Sequence, residues 1–184
     1  SGYLVVNSNE VGAIAQMVPA REGSPVPYVR GGSLGAYGRF WDSQQLPCQA
    51  PPWGKLNAID LKTGAIAWQV PLGNMPALEA QGITGTGTPN LGGPLVTAGG
   101  LVFIGGAIDS RLRAFDLKTG QEVWRTSLPA SGHGAPVTYR GAKSGRQFVV
   151  IAAGGGGKFS KGISDAVVAY ALPASPPMSA GARQ

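Results

Sequence analysis

Apolar and polar residues alternate along this chain in short bursts, and most bursts end at a glycine. "GPLVTAG", "LVFIGG", "RLRAFDL" and "EVWRTSL" follow one another between residues 93 and 128. Successive side chains of a strand point to opposite faces, so each burst predicts a half-buried strand. The turns between them are Gly99-Gly100, Gly105-Gly106 and Thr119-Gly120. Four strands joined this way form a β-meander. No long stretch repeats its apolar residues at helical spacing between caps, so the pattern predicts very little helix.

The bursts recur. "AIDLKTGAIAW" occupies residues 58–68 and "AFDLKTGQEVW" residues 114–124. A third, degenerate copy places Ala169 in "AVVAYALP", without the Asp or the Thr-Gly turn. The period of about 55 residues, with several strands in each, suggests propeller blades. Asp60 and Asp116 stand at strand ends, where a carboxylate can accept from turn N–H groups. Gly64 and Gly120 can take positive φ in the turn. Trp68 and Trp124 begin the outer strand, where a flat ring can stack between neighbouring blades. A blade cannot bury both faces alone. Three units make an arc, and a closed ring takes about four to eight. The arithmetic predicts part of a ring, completed by missing sequence or by another chain, and the opening "SGYLVVNSNE" reads as a strand of something longer.

The first 50 residues differ. "YLVVNSNEVGAIAQMVP" predicts a strand pair with a polar interruption at Asn7–Glu10. Residues 21–53, with Tyr28, Tyr37, Phe40, Trp41 and Trp53, read as a long ordered loop lying on the ring. The expected organisation is therefore all-β: blades over 1–173 with a Pro/Gly/aromatic loop at 20–53, then a flexible tail at 174–184.

Composition changes this picture little. Hydrophobic residues make up 43%, enough for a packed core. The 30 Gly and 15 Pro would fit disorder, but the strand-like runs between them argue for tight turns. The net charge is +6, and five of the 15 basic residues lie between Arg140 and Lys161. No aromatic residues interleave them in a stacking pattern, so nucleic acid is excluded as a partner. They read as a solvated basic face, with an anionic partner as the alternative. Cys48 is the one cysteine, so no internal disulfide forms; in "LPCQAPPWG" it is expected to be buried and inert. No apolar run approaches about 18 residues.

The unit A-x-D-x-x-T-G-x-x-x-W resembles the tryptophan-docking motif of quinoproteins that use pyrroloquinoline quinone (PQQ). The ordered series is more specific: "LVVNSN", "LPCQAPPWGKLNAIDLKTG", "NLGGPLVTAGGLVFIGGAIDSRLRAFDLKTGQEVW", "LPASGHGAPVTY", "QFVVIAAGGGG" and "DAVVAYALP". It resembles the C-terminal end of PQQ-dependent dehydrogenases of the membrane glucose and quinate type, over residues 3–173. The resemblance implies three blades of an eight-bladed propeller, with PQQ in a central pocket over a divalent metal, usually Ca²⁺. It implies a periplasmic enzyme, possibly membrane-associated through upstream sequence, that oxidises an alcohol, polyol or sugar and passes electrons to a quinone or cytochrome. The family's catalytic Asp, metal ligands and PQQ-clamping Lys would lie upstream. The chain alone is therefore expected to bind no Ca²⁺ and to show no turnover. The alternative is a non-enzymatic propeller scaffold of the outer-membrane assembly type, which shares the blade signal but not the "PCQAPPWG" or "GAPVTY" segments.

The resemblance also assigns candidate cofactor-binding residues. Asn7 matches an Asn that contacts PQQ; an amide can donate and accept against a quinone edge. The competing reading is an Asx turn at a strand end. Leu91 falls where alcohol-oxidising relatives place a Trp against PQQ, and Gly92 allows close backbone approach; plain strand entry competes. Asp109 matches an acidic position of glucose-oxidising relatives, against a turn-forming Asp beside Arg111. His133 is the one His, on a Gly-flanked loop, where a general base competes with simple loop structure. Gly156 stands where glucose-oxidising relatives carry a His, which puts glucose in doubt as substrate.

Overall fold

The computed structural model describes residues 2–31, 38–157, 160 and 162–173. The strands are β1 (Tyr3–Asn9), β2 (Ala13–Ile14), β3 (Gln16–Pro19), β4 (Tyr28–Gly31), β5 (Gly38–Arg39), β6 (Gly54–Asp60) and β7 (Ile66–Pro71). After the single-turn helix α1 (Pro76–Glu79) come β8 (Leu95–Val96), β9 (Leu101–Ile104), β10 (Arg111–Asp116) and β11 (Glu122–Ser127). The last are β12 (Val137–Arg140), β13 (Gln147–Ala152) and β14 (Val167–Tyr170).

Three antiparallel sheets carry the architecture: β1-β6-β7, β11-β10-β9-β8 and β12-β13-β14. Ala58, Ala114 and Ala169 fall on β6, β10 and β14, the corresponding strand of each sheet. The repeat read from the chain is thus a blade repeat. Only the second sheet has four strands; among the described residues the first lacks a counterpart of β8 and the third a counterpart of β11.

The sheets pack face to face. Val5, Leu56, Ala58 and Leu72 of the first meet Val102, Ile104, Phe115 and Leu117 of the second. Leu112 and Leu128 of the second meet Ile151 and Ala153 of the third. Period-two alternation along β10 explains this: Phe115 faces one neighbour and Leu112 the other.

The repeated eleven residues tie neighbouring sheets. Lys62 N–H donates to Asp60 Oδ1 at 2.7 Å, and Lys118 and Thr119 N–H donate to Asp116 Oδ1 at 3.0 and 2.9 Å. Gly64 and Gly120 both have φ of 72°, the left-handed conformation a bulkier residue resists. Trp68 then crosses to the next sheet. Its Nε1–H donates to the Leu117 carbonyl at 2.9 Å, and its ring covers Gly120, where a Cβ would stand 2.6 Å from Cε3. Among the described residues Trp124 meets no such turn in the third sheet; it packs edge-on against Tyr170, with centroids 5.5 Å apart.

The Asp116 carboxyl is held below the usual aspartate range, first by the Thr119 backbone N–H and then by the Thr119 hydroxyl. Its stabilising contribution is therefore whole above the ordinary value of about 3.9 and is lost as pH falls through the lowered folded value. Asp116→Asn is expected to unfold more easily than the parent at neutral pH, with the gap closing below about pH 4. Urea midpoints across that range check it.

Two expectations for the first 50 residues need correction. Asn7, Ser8 and Asn9 are not an interruption: β1 runs unbroken through them and pairs with β6. Sheet-edge hydrogen bonds are backbone bonds, so polar side chains do not end the strand. The loop beyond is partly ordered into two small two-stranded sheets, β3 with β4 and β2 with β5, and Trp53 closes it by donating Nε1–H to the Gln49 carbonyl at 2.7 Å. Cys48 is exposed, not buried; its neighbour Pro47 takes the interior position. Tyr37, Lys158, Lys161 and the tail at 174–184 lie outside the described residues.

Candidate functional site

One end of the three sheets gathers most of the polar side chains singled out above. The ends of β1, β9 and β13 arrive there, together with the segments leading into β8 and β12. Antiparallel pairing forces this, because a strand starts beside the end of its neighbour. The bridge between Asn90 and Ala107, and that between Gly155 and Ile163, mark the same end.

Asn90 is the hub. Its side chain is buried, and its Nδ2 donates to the Ser8 and Thr88 carbonyls at 3.0 and 3.1 Å. Asn9 closes a two-way pair with the Asn90 backbone, at 2.9 and 2.7 Å. Asn7 Nδ2 donates to Asn90 Oδ1 at 2.6 Å. The second N–H and the oxygen of the Asn7 amide have no hydrogen-bond partner among the described residues, and Asn7 is only half-buried. The chain then turns through Leu91, whose N–H donates to the Gly106 carbonyl at 3.0 Å.

Glycine is required twice here. A Cβ on Gly106 would stand 1.8 Å from the Leu91 carbonyl oxygen. A Cβ on Gly92, whose φ is 76°, would stand 2.4 Å from the His133 carbonyl oxygen. The loop bearing His133 therefore abuts Gly92 backbone to backbone. Leu91 is 39% exposed and offers an apolar surface beside them.

Asn7, Leu91, Gly92 and His133 are thus neighbours on one face. Asp109 is engaged elsewhere. Its carboxylate side chain is 2% exposed and accepts both terminal nitrogens of Arg113, one at 3.0 Å, and the Asn74 backbone N–H at 3.1 Å. Arg113 in turn donates Nε–H to Glu122 at 3.1 Å, while Arg111 reaches Glu79 at 2.7 Å. The Glu79 carboxyl is held below the usual range, above all by that Arg111 hydrogen bond. This network ties the connection after β7 to β10 and β11. Arg113, not the Arg111 suggested by sequence proximity, is the main partner of Asp109.

Among the described residues, no group of three or more His, Cys, Asp or Glu gathers as a metal site. No helix among them is long and apolar enough to cross a membrane. Asn90 escaped the sequence reading. Nothing in "TPNLGG" announces that the amide reaches back to β1.

The comparisons with known proteins agree with the β-propeller fold. The family model "PQQ: Glucose/ethanol/alcohol dehydrogenase, beta-propeller domain" matches residues 1–149. The chain is 51% identical over 140 residues to a probable quinate dehydrogenase (quinone) from Xanthomonas campestris pv. juglandis, covering 73% of this chain and 18% of that one. It is 38% identical over 201 residues to the glycerol dehydrogenase large subunit from Gluconobacter thailandicus, covering 94% of this chain and 27% of that one. A europium-containing methanol dehydrogenase structure superposes with a TM-score of 0.57 at 26% identity, over 84% of this chain and 23% of that one. The chain thus spans between 18% and 27% of the length of these relatives.

Proposed function

Since the chain belongs to the family of PQQ-dependent glucose, ethanol and alcohol dehydrogenase β-propellers, we propose that it forms three blades of such an enzyme, over residues 1–173. The enzyme oxidises an alcohol, polyol, sugar or related hydroxy acid, in the periplasm, and passes electrons to a quinone or cytochrome. The quinate relative is named for a quinone acceptor, which favours the quinone. The eleven-residue repeat serves in this reading as the docking motif that closes blade on blade.

The observation that carries the proposal is the Asn7–Asn90 pair beside Gly92 at the shared end of the sheets. The residues there fit a flat, oxygen-rich cofactor. Asn7 keeps one N–H and its oxygen for a quinone edge. Gly92 lets a ring approach the backbone, and Leu91 offers an apolar face. Bound PQQ supplies the acceptor for hydride from the substrate carbon. The chain's own part is to hold and orient: Asn90 fixes the Asn7 amide, and the glycines set the spacing. Asp109 serves the face at one remove, by holding the connection after β7 against β10. The proton-accepting Asp and the ligands of a divalent metal, Ca²⁺ in this reading, are assigned to the remaining blades, on the same precursor or another chain.

The test is reconstitution of the full-length protein, stripped of cofactor, with PQQ and Ca²⁺. A quinone absorbance that titrates with PQQ, and dye reduction driven by at least one of quinate, glucose, glycerol and a simple alcohol, are expected. Absence of PQQ binding would overturn the reading in favour of a scaffold. Asn7→Ala is expected to weaken PQQ binding about tenfold, the weight of one hydrogen bond of roughly 1.4 kcal/mol.

A further inference from the structure

His133 has no role in what precedes. Among the described residues, its Nδ1 and Nε2 are the only buried side-chain nitrogen or oxygen atoms without a hydrogen-bond partner. A neutral imidazole needs one acceptor and one donor, and an imidazolium needs two acceptors. Leaving both nitrogens dry and unpaired is costly, and such groups in a native fold call for an explanation. An apolar side chain would fill the same space without that cost.

Looseness of the loop is not the explanation. Ser131 is fully buried, its carbonyl accepts the Gly155 N–H at 2.9 Å, and its hydroxyl lies 3.2 Å from that of Ser110. Gly132 is wedged so tightly that a Cβ would stand 2.4 Å from Ile151 Cδ1. The His133 carbonyl itself occupies the space a Cβ on Gly92 would need. Both neighbouring sheets thus hold the backbone of this loop in place, and its His133 carbonyl lies against Gly92.

Resting on the reading of that face as the cofactor site, we infer that His133 is a ligand-contacting residue. Its imidazole supplies a hydrogen bond to an oxygen of what binds beside Gly92. That oxygen belongs either to the cofactor, as carboxylate or quinone oxygen, or to the substrate hydroxyl. Both meet the same need of the ring: a polar partner for nitrogens that the surrounding protein leaves without one. From the sequence, a general base and simple loop structure compete at His133; the orphaned nitrogens are what single it out.

The experiment compares full-length wild type, His133→Leu and His133→Gln. PQQ is titrated into the cofactor-free proteins with Ca²⁺ present, followed by quinone absorbance; KM is then measured for the best alcohol, and thermal midpoints for all three. A contact to the cofactor weakens PQQ binding by His133→Leu about tenfold, the size of one hydrogen bond. A contact to the substrate leaves PQQ binding intact and raises KM about tenfold instead. In either case the thermal midpoint does not fall, and His133→Gln, which can donate and accept, recovers most of the loss. The inference is overturned if His133→Leu binds both molecules as wild type does. It is also overturned if both variants lose thermal stability with no selective loss of binding. A wild type that binds no PQQ in the same titration sinks the reading of the face itself.

Discussion

Asp109→Ala is expected to lower the stability of the folded protein by about 3–5 kcal/mol, because it strands a buried charge. The Arg113 side chain is 2% exposed and has two of its hydrogen bonds on that carboxylate. Glu122 remains as a partner but is itself 31% exposed and holds only Nε. The Asn74 N–H also loses its acceptor. Much of this loss is the cost of the uncompensated arginine, not the intrinsic worth of the pair. Asp109→Ala with Arg113→Met should therefore be more stable than Asp109→Ala alone. Urea denaturation of the three proteins measures it. If Asp109→Ala unfolds at the wild-type midpoint, the carboxylate does not hold the arginine.

Gly92→Ala is expected to cost about 2–4 kcal/mol, from two sources that act together. One is the positive φ of 76°, which an L-residue with a Cβ resists. The other is the His133 carbonyl oxygen, 2.4 Å from where the methyl would stand. Backbone on both sides leaves no flexible side chain to yield. Gly93 supplies the control: a Cβ there meets nothing within 4 Å. Gly93→Ala should lie within about 0.5 kcal/mol of wild type. A Gly92→Ala protein as stable as the Gly93→Ala protein would show that the two loops part readily. In the proposed enzyme, Gly92→Ala also displaces the His133 loop, so PQQ affinity falls together with stability.

The blade repeat was legible because it is written in local terms. The period of two along "RLRAFDL", the carboxylate at Asp116 and the glycine at 120 act over a few residues, so their spacing alone specifies strand, turn and strand. That is why Ala58, Ala114 and Ala169 fall on corresponding strands. The pattern misleads where polar residues mimic a break. Asn7, Ser8 and Asn9 look like a turn, yet a partner strand beginning at Gly54 supplies the backbone pairing that keeps them extended.

What the chain determined by itself is a β-meander repeated with a clamp, and through the ordered motifs its membership of a quinoprotein family. What only the tertiary structure decided is which side chains meet. Asn7 and Asn90 lie 83 positions apart, and Trp68 reaches a turn 49 positions on. Arg113 displaces Arg111 as the main partner of Asp109: the two share one face of β10, but Arg111 starts the strand and is held by Glu79, while Arg113 lies one repeat further in, where its side chain is buried. The nitrogens of His133 become conspicuous only once the loops around them have closed. Such pairings depend on how one sheet stacks on the next, and burial then makes each polar contact or its absence count. Spacing along the chain carries no record of either.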